Sequence, residues 1–261
     1  MKVALLLKRG SGFHEVVPLL ERHGVEVDTL YPDEELTELT ALRPVHDLYV
    51  LRSRTQASLS LAGALDAAGA AILNPYPLAA ACRDKVVASQ LLRAAGVPLP
   101  ETYVAGEARR LAPLLDEGPL VVKPYRGSRG EGVRLVRTPD ELAGDGTTGS
   151  PVFAQRYCEP RGRDLKIYRI GHRLFGVKRV WPPRTLADKL GEPFPVRSEL
   201  REIALRLGSA LGITLYGFDV VATDAGPFVV DFSPFPGFKG VPDAPVLLAD
   251  YIHDAAKRAA R

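Results

Sequence analysis

The chain has 261 residues, 46% hydrophobic and 25% charged, an ordinary globular composition with length enough for one large lobe or two to three small ones. No uninterrupted apolar run approaches the ~20 residues of a membrane span, and Cys82 and Cys158 offer neither a disulfide framework nor a zinc spacing, so a reduced, cytoplasmic setting is expected. The net charge of +3 is mild, with no Lys/Arg block dense enough for a nucleic-acid tail.

In chain order, the opening Met-Lys-Val-Ala-Leu-Leu-Leu-Lys is too short for a signal-peptide core and reads as a buried first strand. Apolar runs over 3–7, 25–30, 48–51 and 70–73 predict strands, and helical spacing over 13–23, 34–42 and 58–68 predicts helices between them. That alternation implies a small parallel α/β lobe. Its first loop, Lys8-Arg9-Gly10-Ser11-Gly12, lacks the G-x-G-x-x-G spacing and fits either a tight turn or the wall of a cleft at the strands' carboxyl ends. Asn74-Pro75-Tyr76-Pro77 then breaks the pattern. A helix over 84–95, closed by Gly96 with Pro98 and Pro100 beyond, comes next. Strands over 120–123 and 133–136 flank a glycine-rich loop, and a short helix near 139–142 leads into a loose stretch over 144–150. The last third predicts a strand pair around Gly171, a Pro-rich loop over 181–195 and a helix over 198–211. A hairpin of 215–221 with 228–232 and a closing helix over 244–260 complete it, without internal repeats.

The hairpin carries the clearest chemistry. Thr223-Asp224-Ala225-Gly226-Pro227 is a turn signal, and a three-residue loop over 224–226 pairs Thr223 with Pro227. Counting outward, Val221 faces Val229 and Asp219 faces Asp231, while Ser233 shares the acids' face. Opposed carboxylates repel each other in a sheet. A hard divalent cation removes the conflict, and magnesium prefers one or two carboxylates plus phosphate oxygens.

Val121-Val122-Lys123-Pro124 runs into Arg126-Gly127-Ser128-Arg129-Gly130-Glu131-Gly132. A lysine ending an apolar strand, then three glycines, can bring backbone N–H groups and a cation onto phosphates. A strand follows rather than a helix, and G-x-x-x-x-G-K-[ST] is absent, so this is a flap between antiparallel strands and no P-loop. Phe153-Ala154-Gln155-Arg156-Tyr157-Cys158-Glu159 is a strand end turning polar, able to offer backbone hydrogen bonds to an adenine edge or simply to end a strand. Arg126, Arg129, Arg134 and Arg137 cluster, as do Arg161, Arg163, Lys166, Lys178 and Arg179, beside glycine-rich turns that suit a small anion better than a duplex.

Taken in order, these pieces resemble the ATP-grasp superfamily over nearly the whole chain: Arg83-Asp84-Lys85, Val-Val-Lys-Pro, the glycine loop, Gln-Arg-Tyr, Gly162-Arg163-Asp164-Leu165-Lys166, Lys178-Arg179, Gly217-Phe218-Asp219 and Val-Asp-Phe-Ser-Pro-Phe-Pro-Gly-Phe. The resemblance implies an ATP-grasp fold, α+β in its nucleotide lobes, with an N-terminal parallel α/β pre-domain. The expected divisions are 1–82, a central lobe over 83–155 and a C-terminal lobe over 156–261. It implies ATP and Mg2+ as cofactors. Lys85 and Lys123 would contact the phosphates, with Gly127, Ser128, Arg129, Gly130 and Gly132 closing over them. Gln155, Arg156, Tyr157 and Cys158 would line the adenine slot, with Asp164 on the nucleotide side. Asp219, Asp231 and Ser233 match the metal-binding positions, although such families usually carry asparagine where Ser233 stands, which predicts weaker binding of a second ion. Lys166 and Lys178 or Arg179 stand where these families carry cations facing the transferred phosphoryl group. A two-residue turn Gly171-His172 would put Lys166 and Lys178 on opposite faces.

Two groups fit the motifs: ribosomal-protein glutamate ligases with related carboxylate–amine ligases, and inositol trisphosphate kinases. Both begin with attack on the γ-phosphate of MgATP. No Asp or Glu stands out as the base a hydroxyl acceptor needs, whereas a carboxylate nucleophile is already ionised at pH 7. The preferred reading is an ATP-dependent carboxylate–amine ligase acting through an acyl phosphate. A small-molecule kinase and a nucleotide-binding module with little turnover are the alternatives. The expected partners are a small-molecule or peptide carboxylate and an amine acceptor, with no nucleic acid or membrane and with room for a homo-oligomer. Loops 8–13, 52–56 and 181–194 would decide the substrate.

Overall fold

The apolar runs of the first third become four parallel strands, β1 (Lys2–Leu6), β2 (Glu26–Leu30), β3 (Leu48–Leu51) and β4 (Ile72–Leu73), in the order β2-β1-β3-β4. The structure is a computed structural model that describes residues 1–127, 130–142, 150–180 and 185–261. Central strands β1 and β3 are covered on both faces, which is why they read as continuous apolar runs, while edge strand β2 keeps Glu26 and Asp28. Helix α1 (Val17–Arg22) lies on one face of this sheet and α2 (Gln56–Ala67) on the other, where Ala4, Leu6, Tyr49 and Leu51 meet Leu59, Ala62 and Leu65.

The helix expected over 34–42 is absent. Only a 3-10 turn, Leu39–Ala41, forms there, and Leu36 and Leu39 stay exposed. Apolar spacing without a surface to bury against does not offset the entropy of ordering a helix. A short helix missed from sequence, α3 (Tyr76–Ala81), starts at the proline pair, since proline tolerates the first turn. Then α4 (Lys85–Ala94) begins at Lys85 because the Asp84 carboxylate accepts from Val86 N and Val87 N.

The second sheet is antiparallel: β5 (Thr102–Ala105), β6 (Leu120–Pro124), β7 (Arg134–Val136) and β8 (Val152–Arg156), ordered β5-β8-β6-β7. The third holds β9 (Asp164–Ile170), β10 (Arg173–Arg179), β11 (Glu192–Phe194), β12 (Leu215–Thr223) and β13 (Gly226–Ser233), ordered β11-β10-β9-β12-β13. The stretch read as a Pro-rich loop contains a helix, α5 (Leu186–Leu190), and β11. A capping box between Thr185 and Asp188 starts the helix, and Gly191, at φ 66°, ends it. Residues 144–149 and Trp181 to Arg184, part of two predicted loops, lie outside the described residues.

The three sheets follow one another along the chain, yet the cores cross between them. Helix α4 packs Leu92 against Ile203 and Leu207 of α6 (Ser198–Leu211) and Phe218 and Phe232 of the third sheet. The closing helix α7 (Ala244–Ala259) packs Leu248, Ile252 and Ala256 into the core of the first sheet, with Tyr168 and Leu215 of the third. The parallel sheet therefore shares a core with the C-terminal strands, and its carboxyl edge is fixed beside them.

Candidate functional site

Strands β12 and β13 set the acid pair. Their turn differs from the expectation: Thr223 pairs with Gly226 and Ala222 with Pro227, so the loop has two residues, not three. The Thr223 hydroxyl accepts from Ala225 N and donates to Gly226 O, tightening the turn. Continued unbroken, that register would slip the acids out of line. A bulge at Val230 restores it, and Asp219 pairs with Asp231, Phe218 with Phe232 and Gly217 with Ser233. The bulge also aims a carbonyl at the central lobe, where Val230 O accepts from Lys123 Nζ at 2.8 Å. Lys123 donates as well to Gln155 Oε1 at 2.6 Å and is buried, and burial pushes its pKa down.

Strand β9 extends the row. Lys166 pairs with Asp219 across β9 and β12, and its Nζ lies 2.7 Å from Asp219 Oδ2, so Lys166, Asp219 and Asp231 stand side by side over three strands. Gly217 permits this approach, because a Cβ there would lie 2.8 Å from the Tyr168 ring and 3.0 Å from Pro236. The turn at Gly171-His172 has two residues, pairing Lys166 with Val177 and Asp164 with Arg179. Arg179 and Asp164 therefore share the face of Lys166. Lys178 is a correction: the pleat turns it to the opposite, exposed face, over the Phe194 ring at 5.7 Å. Arg179 donates to Tyr168 Oη and, at 3.2 Å, to Lys239 O, while its buried Nε has no partner among the described residues. Burial and the neighbouring Asp219 charge push Asp164 up to about 6, against the pull of Lys123.

Lys85 opens α4 below the glycine loop. Its backbone N donates to Tyr125 O at 2.9 Å and its Nζ to Gly127 O at 3.2 Å, and Asp231 offsets part of the burial that lowers its pKa. Gly130 and Gly132 have φ of 76° and 70°, and a Cβ on Gly132 would lie 2.8 Å from Pro124 Cγ, so glycine is required there. Ser128 and Arg129 lie outside the described residues. Of the expected adenine-slot residues, Gln155 points at Lys123. Arg156 turns the other way, donating to Leu114 O and Gly118 O and pairing with Glu117, and so ties its own lobe together. The Arg156 and Tyr157 N–H groups are already taken by Glu101 O and Pro119 O. Cys158 stays half-buried and its thiol is pushed up by that burial.

Ser233 shares the acids' face but is buried, and its hydroxyl accepts from the Arg54 guanidinium. One of the two lone pairs of this oxygen is therefore taken by a cation. Among the described residues no three His, Cys, Asp or Glu side chains gather around one point. Two facing carboxylates, exposed Asp231 and half-buried Asp219, are nevertheless a donor pair that fits one magnesium ion. Sequence reasoning placed Arg54 only within the 52–56 loop, without a role of its own, and missed Asn74. The Asn74 amide donates to Leu215 O at 2.7 Å and to Pro234 O, fastening β4's end to the acid hairpin. The available signal was positional, since both residues follow strands of a parallel sheet at its carboxyl edge.

The RimK-like ATP-grasp domain family matches residues 82–254. A probable alpha-L-glutamate ligase 1 of Shewanella sp. (strain MR-4) is 26% identical over 230 residues, covering 81% of this chain and 73% of that protein. A RimK domain ATP-grasp protein from Sphaerobacter thermophilus DSM 20745 matches with a TM-score of 0.79 at 22% identity, over 98% of this chain and 100% of that one. The ATP-grasp ligase PsnB, solved with a minimal precursor, Mg and ADP, matches with a TM-score of 0.72 at 19% identity, over 98% and 97%. The fold is ATP-grasp, preceded by the parallel α/β sheet. No helix among the described residues is long and apolar enough to cross a membrane.

Proposed function

The chain belongs to the RimK-like ATP-grasp family, and on that premise we propose how its residues divide the work of an ATP-dependent carboxylate–amine ligase. The observation that carries the reading is the row Lys166–Asp219–Asp231, faced by Lys123 from the central lobe and Lys85 from α4. Lys85 and Lys123 bind the phosphates, with Gly127 beside Lys85. Asp219 and Asp231 would hold magnesium, which would supply neutralisation of phosphate charge. Lys166 orients Asp219 and places a positive charge beside the transferred phosphoryl group, and Arg179 supports that face. An ionised substrate carboxylate needs no base to attack the γ-phosphate. The amine then displaces phosphate from the acyl phosphate. Free Cys82 and Cys158 suit a reducing, cytoplasmic setting for this reaction.

The test is ADP release from MgATP with pools of carboxylates and amines, small and peptidic. ADP formation should require a carboxylate, the product should be an amide, and hydroxylamine in place of the amine should trap a hydroxamate. A phosphorylated hydroxyl product, or tight nucleotide binding with no turnover under any pool, would overturn the ligase assignment.

A further inference from the structure

Strand β3 ends at Leu51, and the chain turns through Arg52-Ser53-Arg54 before α2 begins. The turn is anchored on both sides of Arg54. Ser53 N donates to Leu6 O at 2.9 Å, and the Thr55 hydroxyl caps α2 by accepting from Ser58 N. From this corner the Arg54 guanidinium reaches the end of β13 and donates to the buried Ser233 hydroxyl. The receiving end is anchored too: Ser233 pairs with Gly217 in the sheet, and the Asn74 amide holds Pro234 O one residue on. A cavity of about 50 Å³ is lined by Arg54 together with Lys85, Gly127 and Asp231, so the guanidinium stands on the phosphate side of the site. Lys85 registers its charge. Burial pushes Lys85 down, Asp231 resists, and the charges of Arg83 and Arg54 add to the lowering.

The families that the sequence resembles usually carry asparagine at the position of Ser233. A serine hydroxyl is shorter and less basic than an amide carbonyl, and here a guanidinium that stays charged already occupies one of its lone pairs. Magnesium holds its oxygen ligands at about 2.1 Å, so a second ion would have to share this one neutral oxygen with Arg54. Like charges that close, in a partly dry site, repel strongly. Asp219 differs, because with Lys166 on Oδ2 it still has a second oxygen. We propose that the site holds a single magnesium ion and that Arg54 stands where a second would, its fixed charge facing the phosphates from Ser233. The place of the first ion rests on the reading of Asp219 and Asp231 as its ligands.

The test counts Mn2+ bound to the full chain by electron paramagnetic resonance, with one equivalent of AMP-PNP and no acceptor, so that it is independent of which acceptor the enzyme uses. One Mn2+ should bind per nucleotide, with any second ion about 10²-fold weaker or more and no spin coupling between ions. Arg54→Gln should tighten a second Mn2+ about tenfold or more, whereas Arg54→Lys, which keeps the charge, should not. Thermal unfolding shows whether the variants fold, and the count on the unaltered chain decides even if they do not. Two ions of similar affinity in the unaltered chain would overturn the proposal and leave the acid pair standing as a metal site. A single ion in folded Arg54→Gln as well would remove Arg54 from the account. Bound nucleotide without bound Mn2+ would bring down the acid-pair assignment itself, and the single-ion site with it.

Discussion

The acid hairpin and the cations around it are built in opposite ways. Asp219 and Asp231 lie 12 positions apart on two adjoining strands, and their pairing depends on one turn and one bulge. The cations come from separate elements: Lys85 from α4, Lys123 from β6, Lys166 from β9 and Arg54 from the segment after β3. A hairpin is local and its facing residues can be counted. A cation shell converges only after three sheets have packed. Charge at this site is thus local in its acids and long-range in its cations, and the two halves should respond differently to mutation.

The largest effect is expected from the local half. Asp231→Asn should lower ATP turnover by about 10²-fold or more, the scale of losing one charge-stabilising group in phosphoryl transfer, without loss of the fold, because Asp231 is exposed. Turnover and thermal unfolding measured together would check this, and near-normal activity would remove the metal assignment. Next comes the long-range half. Lys123→Ala strands Gln155 Oε1 and Val230 O in a buried place and should cost about 2–4 kcal/mol by denaturant titration, with weakened nucleotide binding. If stability held, the lobes would not depend on this contact.

The sheet pleat supplies a sharper contrast between two lysines on adjoining strands. Lys166→Ala should reduce turnover by about tenfold or more, whereas Lys178→Ala, on the other face, should stay within about twofold. Equal losses would mean that Lys178 reaches the site after all. The smallest effect concerns pH. In the folded, metal-free chain Asp164 keeps its proton up to about pH 6, while in the unfolded chain it ionises at its ordinary value of ~3.9. The folded state therefore binds more protons in that window, and Asp164's contribution to stability is full below it and lost as pH rises through it. Asp164→Asn should flatten this part of the stability profile between pH 4 and 6; an unchanged slope would place the proton elsewhere.

The Asp219–Asp231 pairing was readable because strand alternation and turn signals are short-range. Even so, it was reached through the wrong loop: a three-residue turn was expected, and a two-residue turn plus the Val230 bulge produces the same facing pair. A bulge leaves no signature in the local pattern, since its carbonyl is satisfied by Lys123, 107 residues away. The helix expected over 34–42 failed for the complementary reason, that spacing alone did not reveal the lack of a surface to cover.

By itself the sequence determined the alternating parallel lobe, the glycine loop between antiparallel strands and the opposed acids. These follow from periods of two and 3.6 residues and from the backbone needs of glycine and proline, which act within a few residues. Only the tertiary structure decided that Arg54 caps Ser233, that Lys123 grips the bulge, and that α7 seals the first sheet against the third. Those contacts join residues far apart in the chain, and packing, which no local period encodes, brings them within reach.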